Sequence, residues 1–114
     1  KEKYINALKS AEYALKITDN KNKKGIFLNK KGMCSQRLKK HEKAAEYFVE
    51  AYNTRDKTDW IKPARNAAFA YDKLEEKEKV LKWTKVALSH VSDSSENKEE
   101  LSKLLDKYGP DSSE

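Results

Sequence analysis

Residues whose chemistry could support catalysis or metal binding are few in this chain. The lone cysteine, Cys34, lies in an apolar stretch beside Met33 and near Phe27. A reactive thiolate needs a positively charged, partly exposed site, so this pattern indicates a buried structural thiol. His41 and His90 are 49 positions apart, and no carboxylate–histidine spacing typical of a metal site recurs. We therefore expect no metal and no cofactor.

Carboxylates cluster within residues 75–78 and 96–100, beside lysines. Both clusters fall at the starts of predicted helices, where the helix dipole favours negative charge. General acid–base catalysis needs a pocket and a shifted pKa, and the sequence indicates neither. With only 3 glycines, the chain also has no glycine-rich phosphate loop. The sequence therefore predicts no enzyme activity.

Positive charge is concentrated in the first third of the chain. Residues 1–43 carry 13 Lys and Arg against 4 Asp and Glu, whereas residues 44–114 carry 12 against 15. A basic surface attracts acidic partners, either an acidic peptide or a nucleic acid. A nucleic-acid site would add exposed aromatic rings for stacking, but Phe27, beside the densest lysine run, fits an apolar helix face. The charge therefore fits either a solvated lysine-rich helix face or a surface for an acidic peptide or protein, and nucleic acid is disfavoured.

Apolar residues recur at steps of three and four along most of the chain, which predicts an all-α fold of about six helices. Asp59 is expected to cap the fourth helix, and Pro63 suits its first turn. Gly109-Pro110 is expected to end the sixth, leaving 109–114 as a flexible tail. The predicted helices cover about residues 3–17, 24–38, 41–54, 60–74, 76–90 and 96–108.

The chain is self-similar at a shift of 36 residues. Residues 38–45 match residues 74–81, and Gly32 pairs with Ala68. At a shift of 37, small residues of 3–17 coincide with those of the third helix. Small side chains let two helix backbones approach closely, and a helical hairpin that cannot cover its own apolar face must stack on a neighbour.

Residues 32–52 and 68–88 resemble the tetratricopeptide repeat in their layout of small and large positions. The resemblance has departures: Lys39 and Glu75 stand where the family usually has a glycine in the hairpin turn, and Ser35 replaces a large residue. It implies antiparallel helical hairpins stacked as a short right-handed superhelical solenoid. The single domain would span residues 2–108, with a half repeat (2–18), two repeats (24–54 and 59–90) and a capping helix (96–108).

In proteins of that family, the first helix of each hairpin lines a concave surface that binds a partner peptide. The resemblance therefore implies a protein–protein interaction module or scaffold. Its arginines and lysines would hold carboxylates, Asn29 and Asn66 would pair with peptide backbone amides, and Met33 and Phe69 would give apolar contact. The implied concave residues are Ile26, Asn29, Lys30, Met33, Gln36, Arg37, Lys62, Arg65, Asn66, Phe69, Asp72 and Lys73.

Two alternatives stay open. The first helix has no partner helix of its own, so its apolar face is a candidate for self-association into a homo-oligomer. A basic nucleic-acid-binding helical repeat is the other. The chain begins at Lys1 without Met, which we interpret as part of a larger protein. A single cysteine favours a reducing compartment, hence the cytoplasm, and no apolar run is long enough to span a membrane.

Overall fold

A computed structural model of the chain describes residues 2–54, 61–90 and 96–112. The described residues form helices joined by short connections, without a β-strand, so the all-α prediction is confirmed. The six helices are α1 (Glu2–Ile17), α2 (Lys21–Arg37), α3 (His41–Thr54), α4 (Lys62–Lys73), α5 (Lys77–Leu88) and α6 (Glu96–Ser112).

Each helix packs against the next along the chain, and α4 also touches α6. The resulting body is elongated, with extents of 47 × 29 × 22 Å. Its core is rich in alanine, which lets the helices approach closely, and larger side chains fill the spaces between them. The core residues with no exposed surface are Ala44, Ala45, Phe48, Ala64, Ala67, Ala68, Ala70, Val80, Ala87 and Leu101.

Two helix ends differ from the predicted ones by three residues or more. Helix α2 begins at Lys21 rather than residue 24, because the Asn20 side chain accepts a hydrogen bond from the Lys23 backbone N–H at 3.1 Å and caps the helix. Helix α6 continues to Ser112, so the predicted stop at Gly109-Pro110 is wrong. The fixed φ of proline is compatible with a helix, so the helix continues through Pro110 without the one backbone hydrogen bond that the missing N–H would donate.

The start of α4 agrees with prediction in part. Pro63 lies in its first turn, as expected, and Ile61 occupies the capping position without a side-chain hydrogen bond. The proposed cap at Asp59 lies outside the described residues, as does the end of the predicted tail at 113–114.

The two hairpin turns have the same geometry 36 residues apart. Lys39 and Glu75 adopt positive φ angles of 64° and 56°. In each turn the next residue donates its backbone N–H to a carbonyl five residues earlier, Lys40 to Ser35 at 2.8 Å and Glu76 to Tyr71 at 3.2 Å. This is the Schellman pattern, which normally places glycine at the left-handed position. The period of 36 read from the sequence is therefore present in the backbone.

At Gly32, helix α2 lies directly against the Phe48 ring of α3. A Cβ atom built on Gly32 would lie 2.6 Å from Cδ1 and 2.9 Å from Cζ of Phe48. Carbon atoms cannot approach so closely, so only glycine fits beside the fully buried Phe48 ring. The clearance predicted for Gly32 is confirmed.

We predict that Gly32→Ala lowers the free energy of unfolding by about 1–2 kcal/mol. Overpacking typically costs about 1–3 kcal/mol, and the better helix propensity of alanine returns at most about 1 kcal/mol. Urea unfolding measures the change. In a Phe48→Leu background the same substitution should cost less, and a cost that is unchanged in that background would contradict the contact.

We also predict that Lys39→Gly and Glu75→Gly each raise the free energy of unfolding by about 0.5–1 kcal/mol, because the left-handed conformation disfavours residues with a Cβ. Thermal or urea unfolding tests this. Lys40→Gly, at a neighbouring residue whose φ is not positive, is the matched control and should not stabilise the protein. Equal effects at Lys39 and Lys40 would contradict the prediction.

Candidate functional site

A depression of about 620 Å³ opens between α2 and α4. We call it the α2/α4 groove. Three lining residues come from the C-terminal end of α2, one from the following turn, one from the start of α3 and two from α4. They are Met33, Gln36, Arg37, Lys39, His41, Asn66 and Lys73. No acidic residue of the described part of the chain lines the groove, so its charged lining is entirely cationic.

The helical period and one side-chain bond set the geometry of the groove. Met33, Gln36 and Arg37 stand three and four positions apart, so they share one face of α2. Across the groove, the Asn66 Nδ2 group donates a hydrogen bond to Asn29 Oδ1 at 3.1 Å and ties α4 to α2. Asn29 is only 5% exposed. The two asparagines expected to pair with a peptide backbone are therefore paired with each other.

A second depression, of about 290 Å³, lies between α1 and α2. We call it the α1/α2 pocket. Met33 and Arg37 line both depressions, so the two adjoin. The lining of the α1/α2 pocket consists of Lys3, Tyr4, Ala7, Lys30, Met33, Cys34 and Arg37.

Helix α6 engages the charged residues of α4. The Arg65 guanidinium donates to Glu100 Oε1 at 2.6 Å. Asp72 Oδ1 accepts hydrogen bonds from Lys107 Nζ at 2.9 Å and from the Tyr108 hydroxyl at 2.6 Å. Two residues predicted to face a partner thus bind within the protein.

These bonds follow the repeat spacing. The α4–α6 partners are 35 or 36 positions apart, and the α2–α4 partners are 37 apart. Helix α6 is therefore bonded to α4 as α4 is bonded to α2. Arg65 and Asp72 of α4 are therefore paired with α6, and the cationic groove lies on the side of α4 that faces α2.

The structure distributes the twelve predicted concave residues over several places. Asn29 is buried, Lys30 lines the α1/α2 pocket, and Ile26 and Lys62 are exposed nearer the starts of their helices. Phe69 lies beside Arg65 in a depression of about 360 Å³ against α6. Five are brought together in the α2/α4 groove: Met33, Gln36, Arg37, Asn66 and Lys73.

Sequence reasoning missed several lining residues. Lys39 and His41 belong to a turn and a helix start, and only the left-handed turn brings them to the groove. Tyr4 and Ala7 stand three positions apart and belong to the apolar face that the periodicity of residues 3–17 predicts. That periodicity could have indicated the α1/α2 pocket, because an apolar helix face that no other helix fully covers leaves a depression.

Cys34 and His90 both have neighbours within the fold. Cys34 is buried as predicted, and burial raises the pKa of its thiol against a smaller opposing effect of Lys30. His90 Nε2 lies 3.1 Å from the Tyr52 hydroxyl. Across residues 2–54, 61–90 and 96–112, His, Cys, Asp and Glu nowhere form a group of three that could hold a metal ion. In the same ranges, no helix combines the length and apolarity that a membrane span requires.

Neither the protein-family models nor the curated proteins compared with this chain match it in sequence. The resemblance to tetratricopeptide repeats therefore stays a prediction, based on the recurring small residues and turns.

The Asp72 cluster gives the α4–α6 contact a defined pH dependence. Burial of Asp72 favours its neutral form, but hydrogen bonds from Tyr108 and Lys107, with the nearby positive charge of Lys107 and Lys73, outweigh it and lower the pKa. A depressed folded-state pKa means that the carboxylate stabilises the fold when it is ionised.

We predict that Asp72→Asn destabilises the protein at neutral pH and that the difference from wild type shrinks in acid. The contribution is fully present above the unfolded pKa of about 3.9 and is lost as pH falls through the lower folded pKa. Urea unfolding over a series of pH values measures it. Asp106→Asn, at an exposed position of α6, is the control. A gap between wild type and Asp72→Asn that does not change with pH would refute the assignment.

Proposed function

We propose that this chain is a protein–protein interaction module that binds an acidic peptide segment of a partner in the α2/α4 groove. The observation that carries the proposal is the charge of the lining. Arg37, Lys39 and Lys73 surround a depression of about 620 Å³ that no acidic side chain of the described residues lines. Such a concentration of one charge sign favours an oppositely charged ligand.

The chemistry of the groove suits a peptide. Arg37 can hold a carboxylate through two parallel N–H donors, whereas the lysines act as point charges. The Gln36 side chain offers both a donor and an acceptor to a peptide backbone. Met33 is 46% exposed, and its flexible thioether adapts to varied apolar contacts.

The repeat geometry supports the same class of function. The two left-handed turns and the side-chain bonds spaced 35–37 residues apart are compatible with a short superhelical stack of tetratricopeptide type. Stacked hairpins of this kind present an extended surface to a partner. We include that arrangement in the proposal.

Self-association is the competing function, and one observation favours it. Helix α1 exposes large apolar side chains, Tyr13 at 65% and Ile17 at 66%. Light scattering over a range of concentrations separates the two proposals. A mass that stays monomeric removes self-association, and a dimer disrupted by Tyr13→Glu supports it.

The groove is tested by titrating the protein with dye-labelled acidic peptides and following anisotropy. We predict that Arg37→Glu and Lys73→Glu each weaken binding on the order of tenfold, because reversal replaces an attraction with a repulsion. Lys85→Glu, exposed on α5 and outside the groove lining, makes the same change of net charge. It is the matched control and should have a small effect.

Raised salt should weaken wild-type binding, because exposed charges are screened. A basic peptide of the same length should not bind, and single-stranded DNA tests whether any polyanion suffices. Equal losses for the groove variants and the control would show that only net charge matters. That result, or tighter binding of DNA than of acidic peptides, would overturn the proposal.

A further inference from the structure

We infer that the α1/α2 pocket receives one large apolar side chain, such as Trp, Phe or Leu, from the acidic segment held in the α2/α4 groove. The inference rests on the proposed function and deepens it, because it assigns a sequence requirement to the partner. The partner would carry an apolar residue with acidic residues on either side.

The lining of the pocket separates into an apolar part and a charged rim. Tyr4, Ala7, Met33 and Cys34 supply the apolar surface. At about 290 Å³, the pocket is near the lower limit of roughly 300 Å³ for sites that enclose a small-molecule ligand. It therefore suits a single side chain. An aromatic or aliphatic residue in such a pocket is the usual anchor of a protein interface.

The rim determines the charge of the occupant. Lys3, Lys30 and Arg37 belong to the pocket lining, and the lining contains no acidic residue. An apolar side chain would contact the apolar part of the pocket, and carboxylates on either side of it would pair with the cationic rim. An apolar segment flanked by lysines would bring like charges together and be rejected.

A second copy of this chain fits the rim poorly. The exposed apolar residues of α1, including Tyr13 and Ile17, lie on a helix with three lysines against two glutamates. Helix α2, beside it, carries six cationic residues and no acidic one. A copy that docked through this region would bring basic helices together, so charge complementarity favours an acidic partner.

The two depressions adjoin, which allows one segment to reach both. Met33 and Arg37 line each of them, so a peptide with its anchor in the pocket passes directly over Arg37 into the groove. Arg37 would then hold a carboxylate close to the anchor, and Lys39 and Lys73 would hold those further along.

The test compares two pools of short dye-labelled peptides. In one pool, every position is Asp, Glu or Ser except a single Trp at varied internal positions; in the other, Ser replaces the Trp. We expect the Trp pool to bind on the order of tenfold more tightly, as a buried anchor typically contributes. Ala7→Leu, at an exposed residue of the lining, should remove this advantage and leave the affinity of the Ser pool unchanged. Asn6→Leu, exposed beside it and outside the lining, is the matched control.

Cys34 provides a second readout that needs no substitution. It is the one cysteine of the sequence and lines the pocket. Because the thiol is buried and its pKa is raised, labelling is slow, and the rate in excess N-ethylmaleimide reports occupancy at a single position. The Trp pool should slow its labelling, and the Ser pool should not. Thermal melting of the Ala7→Leu protein checks that the variant is folded.

The outcomes separate the two proposals. Equal affinity of the two pools for wild type would overturn the anchor pocket and leave the groove standing. Binding of neither pool would overturn both. Protection of Cys34 that grows with protein concentration in the absence of peptide would identify a second copy as the occupant and also overturn the inference.

Discussion

The Phe48 ring occupies the space in which residue 32 of the preceding helix would carry a side chain if it were not glycine. This close approach fixes the distance between α2 and α3, and the position of α2 depends on it. Helix α2 has six cationic residues and few large apolar ones, so a broad hydrophobic stripe cannot hold it. Small residues hold it, because Gly32, Cys34 and Ser35 are all buried. The opposite edge of the helix, with Met33 and Arg37, is consequently presented to solvent.

Ion pairs within the protein determine which surface keeps an excess of positive charge. Glu100 and Asp72 form bonds between α4 and α6, and Glu12 lies 3.8 Å from Lys31, which also contacts the Tyr47 ring. The carboxylates therefore serve contacts between helices away from the α2/α4 groove. Exposed ion pairs of this kind contribute little stability each, but they orient α6 across α4. The groove keeps a one-sided charge, and a bound anion would relieve the repulsion among its cations.

The sequence predicted the helices and buried small positions well, because both follow from local periodicity and a repeat of 36. It could not place Lys39 and His41 in the groove, because that depends on a left-handed turn at a residue other than glycine. The resemblance to the tetratricopeptide repeat also implied that Asn29 lies on the concave surface, whereas it is buried. A polar side chain can be buried when it has a partner, and Asn66, 37 positions away, provides one.

The sequence also did not indicate which residues of α4 bond to α6. Those bonds depend on complementary charges 35 positions apart. The apolar periodicity of each helix does not show which charged residues of two helices pair. The apolar stripe of α6 correctly predicted that it would pack, with Leu101 and Leu104 buried. Which residues of α4 it would engage required the three-dimensional arrangement.

The two hairpins share one turn geometry but carry different charges at equivalent positions. Advancing 36 positions from the groove residues Gln36, Arg37 and Lys39 leads to Asp72, Lys73 and Glu75. In the second hairpin, the carboxylate of Asp72 accepts bonds from α6, and the helix docks there. In the first hairpin, the equivalent Gln36 is neutral and lies among cations, so the same position cannot attract a basic helix. The charge at this one repeated position therefore differs between the hairpins: Asp72 pairs with α6, and Gln36 adds no carboxylate to the α2/α4 groove.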